Sequence, residues 1–172
     1  MTGRVLHHRP DPRRGRRPDD ALTVANGEYS TELQVRWSDC DPAGVAYYVN
    51  YFSFYEAAVV AFMDERGTSW HTLLETHRAR FPRVDARCRY LASVTFGDRI
   101  RVGFHVAELR PRVATMRFTV DRVRDGVRAA EGEVVVVCVA RPAPGAATGR
   151  AIELPAAFRE LFEPLLPSIP AP

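Results

Sequence analysis

The sequence predicts an α+β fold in which one antiparallel sheet wraps around a single long, buried helix. Two observations predict it. Residues 51–63 form a helix-length run whose apolar side chains cover nearly every face, broken only by Ser53 and Glu56. A helix that is apolar all round has to be surrounded by protein. Most of the chain after Pro82 reads as strands joined by turns, so a sheet is the structure available to surround it.

The elements follow in order. Over residues 31–37, Leu33, Val35 and Trp37 alternate with Glu32, Gln34 and Arg36, which is the period of a half-buried strand. Asp41-Pro42-Ala43-Gly44 is a turn. Asn50 then caps a helix running to about Arg66, and Gly67 ends it. A short helical or irregular segment follows around Trp70–Thr76, and residues 83–96 form a mixed strand. Residues 99–108 place Ile100, Val102, Phe104 and Val106 on one face. Residues 112–124 do the same with Ala114, Met116, Phe118 and Val120, and Asp125-Gly126 signals a hairpin. Residues 127–140 end in Val134–Val139, an unbroken apolar run that reads as a fully buried strand. Pro142 to Gly149 is a loop, and Pro155 opens a short helix to about Phe162.

At 172 residues, with 46% hydrophobic and 26% charged residues, the chain is expected to hold one soluble domain. Residues 1–29 are rich in Arg, Pro, Asp and Gly. They bury too little to offset their ordering entropy and are expected to be a disordered basic tail. The folded domain is expected over residues 30–165, with a Pro-rich tail at 166–172.

All 24 basic residues are Arg, and the net charge is +3. Residues 1–30 hold six Arg and four acids, so the folded part is nearly neutral and a nucleic-acid face is not expected. No apolar run reaches membrane-spanning length. The run Arg13-Arg14-Gly15-Arg16-Arg17 is followed by Pro18-Asp19-Asp20 where an export signal needs an apolar segment. Cys40, Cys88 and Cys138 are far apart and odd in number, which reads as free thiols in a reducing cytoplasm.

Chemistry concentrates at Asp41. Its carboxylate lies just ahead of a helix N-terminus, beside unpaired backbone N–H groups that can polarise a carbonyl. Acyl transfer needs that combination, although Asp before Pro-Ala-Gly also fits a turn-capping role. Asp39 is read as structural, bonding the turn backbone. The rival is a proton-sharing Asp39/Asp41 pair, which needs a strand that Pro42 interrupts. Cys40 lies between two carboxylates and makes a poor thiolate. His71, His77 and His105 fall in no motif. Tyr48 and Tyr51 read equally as core or as the lining of an aromatic acyl pocket. Arg110 and Arg112 are two apart and share a strand face, placed either to fork onto phosphates or to form a solvated edge.

Ser38-Asp39-Cys40-Asp41-Pro42-Ala43-Gly44, followed by Tyr48, Asn50 and Tyr51, resembles the 4-hydroxybenzoyl-CoA thioesterase family of hotdog proteins. The likeness continues to Arg150-Ala151-Ile152-Glu153-Leu154-Pro155 and covers roughly residues 31–163. The resemblance implies a hotdog fold and hydrolysis of acyl-CoA thioesters. It implies that Asp41 acts as nucleophile or general base and that the N–H near Tyr48 polarises the thioester carbonyl. Gly44 and Tyr51 then belong to the substrate site, and Arg110 and Arg112 meet the phosphates of the CoA nucleotide. Tyr48 stands where many short-chain enzymes of this group have His, which is more like the aryl-CoA branch. Pro111 departs from a more uniformly basic family pattern. Active sites of this kind lie between subunits, so a homodimer or homotetramer is implied. No metal and no cofactor is implied.

An aromatic or mid-sized acyl group is the expected substrate. Two rival readings stay open: a hotdog thioesterase acting on acyl carrier protein, and a non-catalytic acyl-binding hotdog protein. In the carrier-directed group this position lacks a carboxylate, so Asp41 speaks against the first rival. The intact Asp-x-x-Gly segment speaks against the second.

Overall fold

The computed structural model describes residues 24–25, 27–142 and 149–167. The order is β1 (Val24–Ala25), β2 (Glu28–Gln34), α1 (Asn50–Glu65), α2 (Trp70–Thr76), β3 (Ala79–Arg80), β4 (Arg83–Tyr90) and β5 (Arg99–Leu109). Then come β6 (Val113–Arg122), β7 (Arg128–Val137), β8 (Val139–Ala140) and α3 (Ala156–Phe162). Six strands form one antiparallel sheet in the order β1-β2-β5-β6-β7-β4, while β3 pairs with β8. Among the described residues β4 is an edge strand, with one row of backbone groups unpaired in the sheet.

Period-two patterning decides which side of the sheet faces inward. Ile100, Val102, Phe104 and Val106 of β5 are buried, as are Ala114, Met116, Phe118 and Val120 of β6. α1 lies on this face through Tyr51, Phe54, Tyr55, Ala58, Val59, Phe62 and Met63, a stripe of three- and four-residue spacings. The Phe62 ring meets those of Tyr29 and Phe104 at 5.3 and 5.6 Å. Phe62→Ala would cost about 3–5 kcal/mol. The outer face is polar: Glu32 accepts from Arg99 and Arg101, and Arg117 donates to Glu133. One sheet curled around one long helix is the hotdog fold, as the sequence predicts.

Several local expectations are corrected. β2 stops at Gln34, and Trp37, expected to point inward, is 76% exposed. Trp37–Asp39 is a single 3₁₀ turn, held by the Asp39 carboxylate accepting the Arg36 N–H at 2.7 Å. Asn50 does not cap α1. Val49 holds that position with helical angles, and Asn50 Nδ2 donates to the Asp39 carbonyl at 2.9 Å. α1 is not enclosed on every side within one chain, since Val60 is exposed and Phe52, Ala57 and Ala61 are half-buried. In Val134–Val139 only Val136 and Cys138 are buried, because the alternate residues turn away from the core. The strand expected over 83–96 ends at Tyr90. Past it, the buried Asp98 carboxylate accepts Thr95 N–H and Oγ and an Arg124 N–H.

The sheet begins at Val24, inside the stretch expected to be a tail. Residues 1–23, with the arginine run, lie outside the described residues, as do 143–148 and 168–172.

Candidate active site

The site is built on the loop between β2 and α1. Cys40 and Ala46 pair across it. Asp41 N–H donates to the Val45 carbonyl and Gly44 N–H to the Asp41 carbonyl, both at 2.9 Å. Gly44 closes the turn at φ +79°, a conformation open to glycine without a side-chain penalty. The Asp41 Oδ1 accepts the Ala43 N–H at 2.8 Å. Among the described residues Oδ2 meets no donor, so this half-buried carboxylate is held by one oxygen and presents the other.

The amides ahead of α1 come next. Tyr47 N–H donates to the Asp39 carbonyl, and the Tyr47 carbonyl accepts the Asn50 N–H, both at 2.8 Å. A trans peptide sets its N–H opposite its C=O. The Tyr48 N–H therefore points back off the helix start, where no acceptor meets it among the described residues. The next peptide is fixed by Tyr90, whose hydroxyl donates to the Tyr48 carbonyl at 2.9 Å. That bond ties edge strand β4 to the helix entrance.

Around these amides lies an aromatic rim. Tyr47 and Tyr48 meet edge to face at 4.7 Å, and both are exposed. The Tyr48 hydroxyl holds the Tyr47 phenol above its ordinary pKa, and the Asp41 charge pushes the same way. Tyr51 is buried and packs edge-on against Tyr90 at 5.0 Å. Burial raises its pKa, with a smaller push from Cys88. One helical turn on, the Tyr55 hydroxyl lies 3.1 Å from Cys88 Sγ. Gly132 makes room for that ring, since a Cβ there would come within 2.5 Å of it.

Among the expected site residues, Asp41, Gly44, Tyr48 and Tyr51 fall together. Arg110 and Arg112 do not join them within one chain. They lie not on a strand face but in the β5–β6 hairpin, where Arg110 N–H donates to the Val113 carbonyl. Val45 and Thr95 pair close to the start of β5, whereas the hairpin follows its far end. Eleven residues at about 3.3 Å each set the two ends roughly 35 Å apart. Arg110 is also engaged, with Nε donating to Glu108 at 2.7 Å. Tyr90 is the residue sequence reasoning missed. Its only sequence signal is an aromatic near the middle of an expected strand. Among the described residues, no group of three or more His, Cys, Asp and Glu is arranged to hold a metal ion, and no helix is long and apolar enough to cross a membrane.

The loop that enters the central helix of this hotdog fold thus carries a carboxylate oxygen and a backbone amide that are both unengaged among the described residues. The sequence model of the thioesterase-like superfamily matches residues 35–162, and the chain belongs to that family of thioester hydrolases. It is 27% identical over 137 residues to the 4-hydroxybenzoyl-CoA thioesterase of Pseudomonas sp. strain CBS-3, covering 76% of this chain and 94% of that one. It is 26% identical over 111 residues to the acyl-CoA thioesterase YbgC of Haemophilus influenzae, covering 64% and 80%. In structure it resembles Slr0204, a 1,4-dihydroxy-2-naphthoyl-CoA thioesterase from Synechocystis, with a TM-score of 0.70. That match has 19% identity and covers 85% of this chain and all of the other, which speaks to the fold alone.

Proposed function

We propose that the protein hydrolyses acyl-CoA thioesters carrying an aromatic or mid-sized acyl group, with Asp41 as the catalytic carboxylate. The observation that carries this reading is the placement of the free Asp41 oxygen and the unengaged Tyr48 N–H on one loop. The Tyr48 N–H accommodates the carbonyl oxygen and its developing negative charge. The Asp41 oxygen then serves by one of two routes. It attacks the carbonyl carbon, expels the CoA thiolate and forms an anhydride that water cleaves. Alternatively it takes a proton from water as that water attacks, and the thiolate leaves from the tetrahedral intermediate. Products are the carboxylate and CoA in both routes. The aromatic rim of Tyr47 and Tyr48 supports an aryl group over a small polar one.

The site is open on one side, and a second copy of the chain is the partner that closes it. If the β4 edges of two copies pair antiparallel, the partner's β5–β6 hairpin arrives at the Asp41 end of the sheet. Arg110 and Arg112 of the partner subunit then face the CoA phosphates, which the length of β5 prevents within one chain. The Arg110–Glu108 pair favours a second reading, an acyl group on a carrier protein, since the Glu108 carboxylate offsets positive charge that CoA phosphates would need.

The experiment is thiol release from aryl-, short- and long-chain acyl-CoAs and from acyl carrier protein, with Asp41→Asn as the paired control. A loss of at least about 100-fold in the folded variant is expected. Full turnover by Asp41→Asn removes Asp41 from the chemistry. Turnover on carrier-bound substrate alone selects the second reading.

A further inference from the structure

The two sides of β2 are paired unequally. Towards β5 it is paired from Tyr29 to Gln34, whereas towards β1 only Glu28 and Tyr29 have partners among the described residues. Backbone N–H groups alternate in direction along a strand. Val35 N–H donates to the Asp98 carbonyl just ahead of β5. The N–H groups of Ser30, Glu32 and Gln34 therefore face the opposite way, along the open edge. Such an edge is a template for another strand.

β1 fixes the register of whatever continues it. Asn26-Gly27 is a favoured two-residue hairpin turn, and Gly27 takes φ +77°. Val24 and Ala25 stand opposite Tyr29 and Glu28. Upstream the chain reads Ala21-Leu22-Thr23, a strand-like continuation that stops at Pro18-Asp19-Asp20. In the same register Thr23 falls opposite Ser30, Leu22 opposite Thr31 and Ala21 opposite Glu32. Asp20 and Asp19 then fall opposite Leu33 and Gln34. A hollow of about 350 Å³ opens at that level, lined by Leu33, Gln34, Arg36, Asp39, Ser53 and Phe54 among others. Arg36, Arg99 and Arg101 are set there against only Glu32 and Asp39, so the site takes a further acid.

We propose that residues 19–23 continue β1 along the open edge of β2, and that this sets Arg13–Arg17 at the Asp41 end of the sheet to meet the phosphates of a CoA ester. The role of the arginines rests on the thioesterase reading above; the covering of the edge does not. In this register Arg17 stands level with Arg36, and four more residues at about 3.3 Å each let Arg13 reach roughly 13 Å beyond it. The Asp41 loop starts at that level, since Asp39 holds the Arg36 N–H with its carboxylate and the Tyr47 N–H with its carbonyl. Four guanidiniums within five residues attract a polyanion. They add charge that Arg110, offset by Glu108, supplies less of.

Two readouts on the full-length chain test this. Hydrogen exchange by NMR compares the N–H groups of Ser30 and Glu32 with those of Thr31 and Leu33, which face β5 and serve as an internal standard. Ser30 and Glu32 are expected to be protected in wild type. Thr23→Pro removes the N–H opposite Ser30 and should lower their protection at least about tenfold, while Thr23→Val keeps it. Unprotected Ser30 and Glu32 in wild type overturn the proposal. Protection that grows with protein concentration assigns the edge to a second copy and overturns it too.

The second readout is KM for benzoyl-CoA at low and high ionic strength. The variant Arg13→Gln/Arg14→Gln/Arg16→Gln/Arg17→Gln should raise KM about fivefold at low ionic strength, an effect that high salt abolishes. Thr23→Pro should reproduce part of that rise, because the run loses its anchor. A KM that neither variant changes, or that only the arginine variant changes, overturns the placement. If no ester is turned over, calorimetry with coenzyme A itself takes the place of KM. Salt-dependent binding weakened by both variants then upholds the proposal without the thioesterase reading, and binding unaffected by either overturns it.

Discussion

The hydroxyl of Tyr90 donates to the main-chain carbonyl of Tyr48 across 2.9 Å, joining the last residue of edge strand β4 to the peptide that enters α1. In the proposed mechanism this bond steadies the backbone next to the Tyr48 N–H that would meet the substrate carbonyl. Tyr90→Phe keeps the ring against Tyr51 and removes only the donor. A neutral hydrogen bond contributes about 1 kcal/mol, so the melting temperature should fall only modestly. The rate should suffer more, because preorganised donors act on the transition state. We expect kcat to fall about tenfold with KM nearly constant. Steady-state kinetics on benzoyl-CoA checks this, and an unchanged kcat removes Tyr90 from the positioning of the site.

Tyr90 also carries a pH signature. Burial, and then the Cys88 thiol beside it, push its pKa up to about 12. The folded state thus holds the phenolic proton more tightly than the unfolded chain, whose tyrosines titrate near 10. The resulting stabilisation is fully present below about pH 10 and is lost as pH rises towards about 12. Tyr51 and Tyr55 are shifted in the same direction. Urea denaturation between pH 8 and 12 should show declining stability, with a shallower decline in Tyr90→Phe. Equal slopes would mean that Tyr90 titrates alike in both states.

The parts of this fold that were legible in the sequence are those where one local rule had no competitor. Period two placed Ile100 to Val106 and Ala114 to Val120 on the core face, and Gly67 marked the end of α1 at φ +68°. The same rule failed at Trp37, where the Asp39 carboxylate on the Arg36 N–H curls the chain out of the strand. Asn50 is a good capping residue, yet its amide is used on the Asp39 carbonyl, a contact that exists only once the loop is folded. The Asp41 loop was legible because its turn chemistry is contiguous. Tyr90 and the separation of Arg110 from Asp41 were not, because both depend on which strand ends meet in space.

Gly132 tests how tightly the helix sits on the sheet. A Cβ at this position would lie 2.5 Å from the Tyr55 ring, which itself stacks on Phe118 at 4.6 Å. Gly132→Ala therefore forces Tyr55 off Cys88 or moves α1. Overpacking of this kind costs about 1–3 kcal/mol. Denaturant unfolding is expected to show that loss, and Tyr55→Ala in the same chain should recover the part due to the clash. A neutral Gly132→Ala would show that α1 yields freely.

Gly44 tests the backbone of the Asp41 turn. Space is not the constraint, since among the described residues nothing lies within 4 Å of where a Cβ would sit. Its φ of +79° is the constraint. Ala in a left-handed conformation costs about 1–2 kcal/mol, and relieving that strain shifts the turn that holds the Ala43 N–H on Asp41. Gly44→Ala should lower kcat/KM by more than its modest stability loss accounts for. Gly44→Asn tolerates this region better and should retain more activity.

A subunit-mixing experiment decides where Arg110 and Arg112 act. If the partner subunit supplies them, Asp41→Asn and Arg110→Ala/Arg112→Ala are each impaired alone, for different reasons. A mixed dimer then contains one doubly defective site and one intact site, the latter pairing Asp41 of the arginine variant with the arginines of the Asp41→Asn subunit. Random reassortment of equal amounts makes half the dimers mixed, so turnover should recover to about a quarter of the wild-type value per subunit in a symmetric dimer. Arginines acting within their own chain would leave the mixed dimer with two defective sites, and the mixture would show no gain over the average of its parents. Recovery therefore reports both the pairing of copies and the strand-length separation of Asp41 from the hairpin, independently of which acyl group is used.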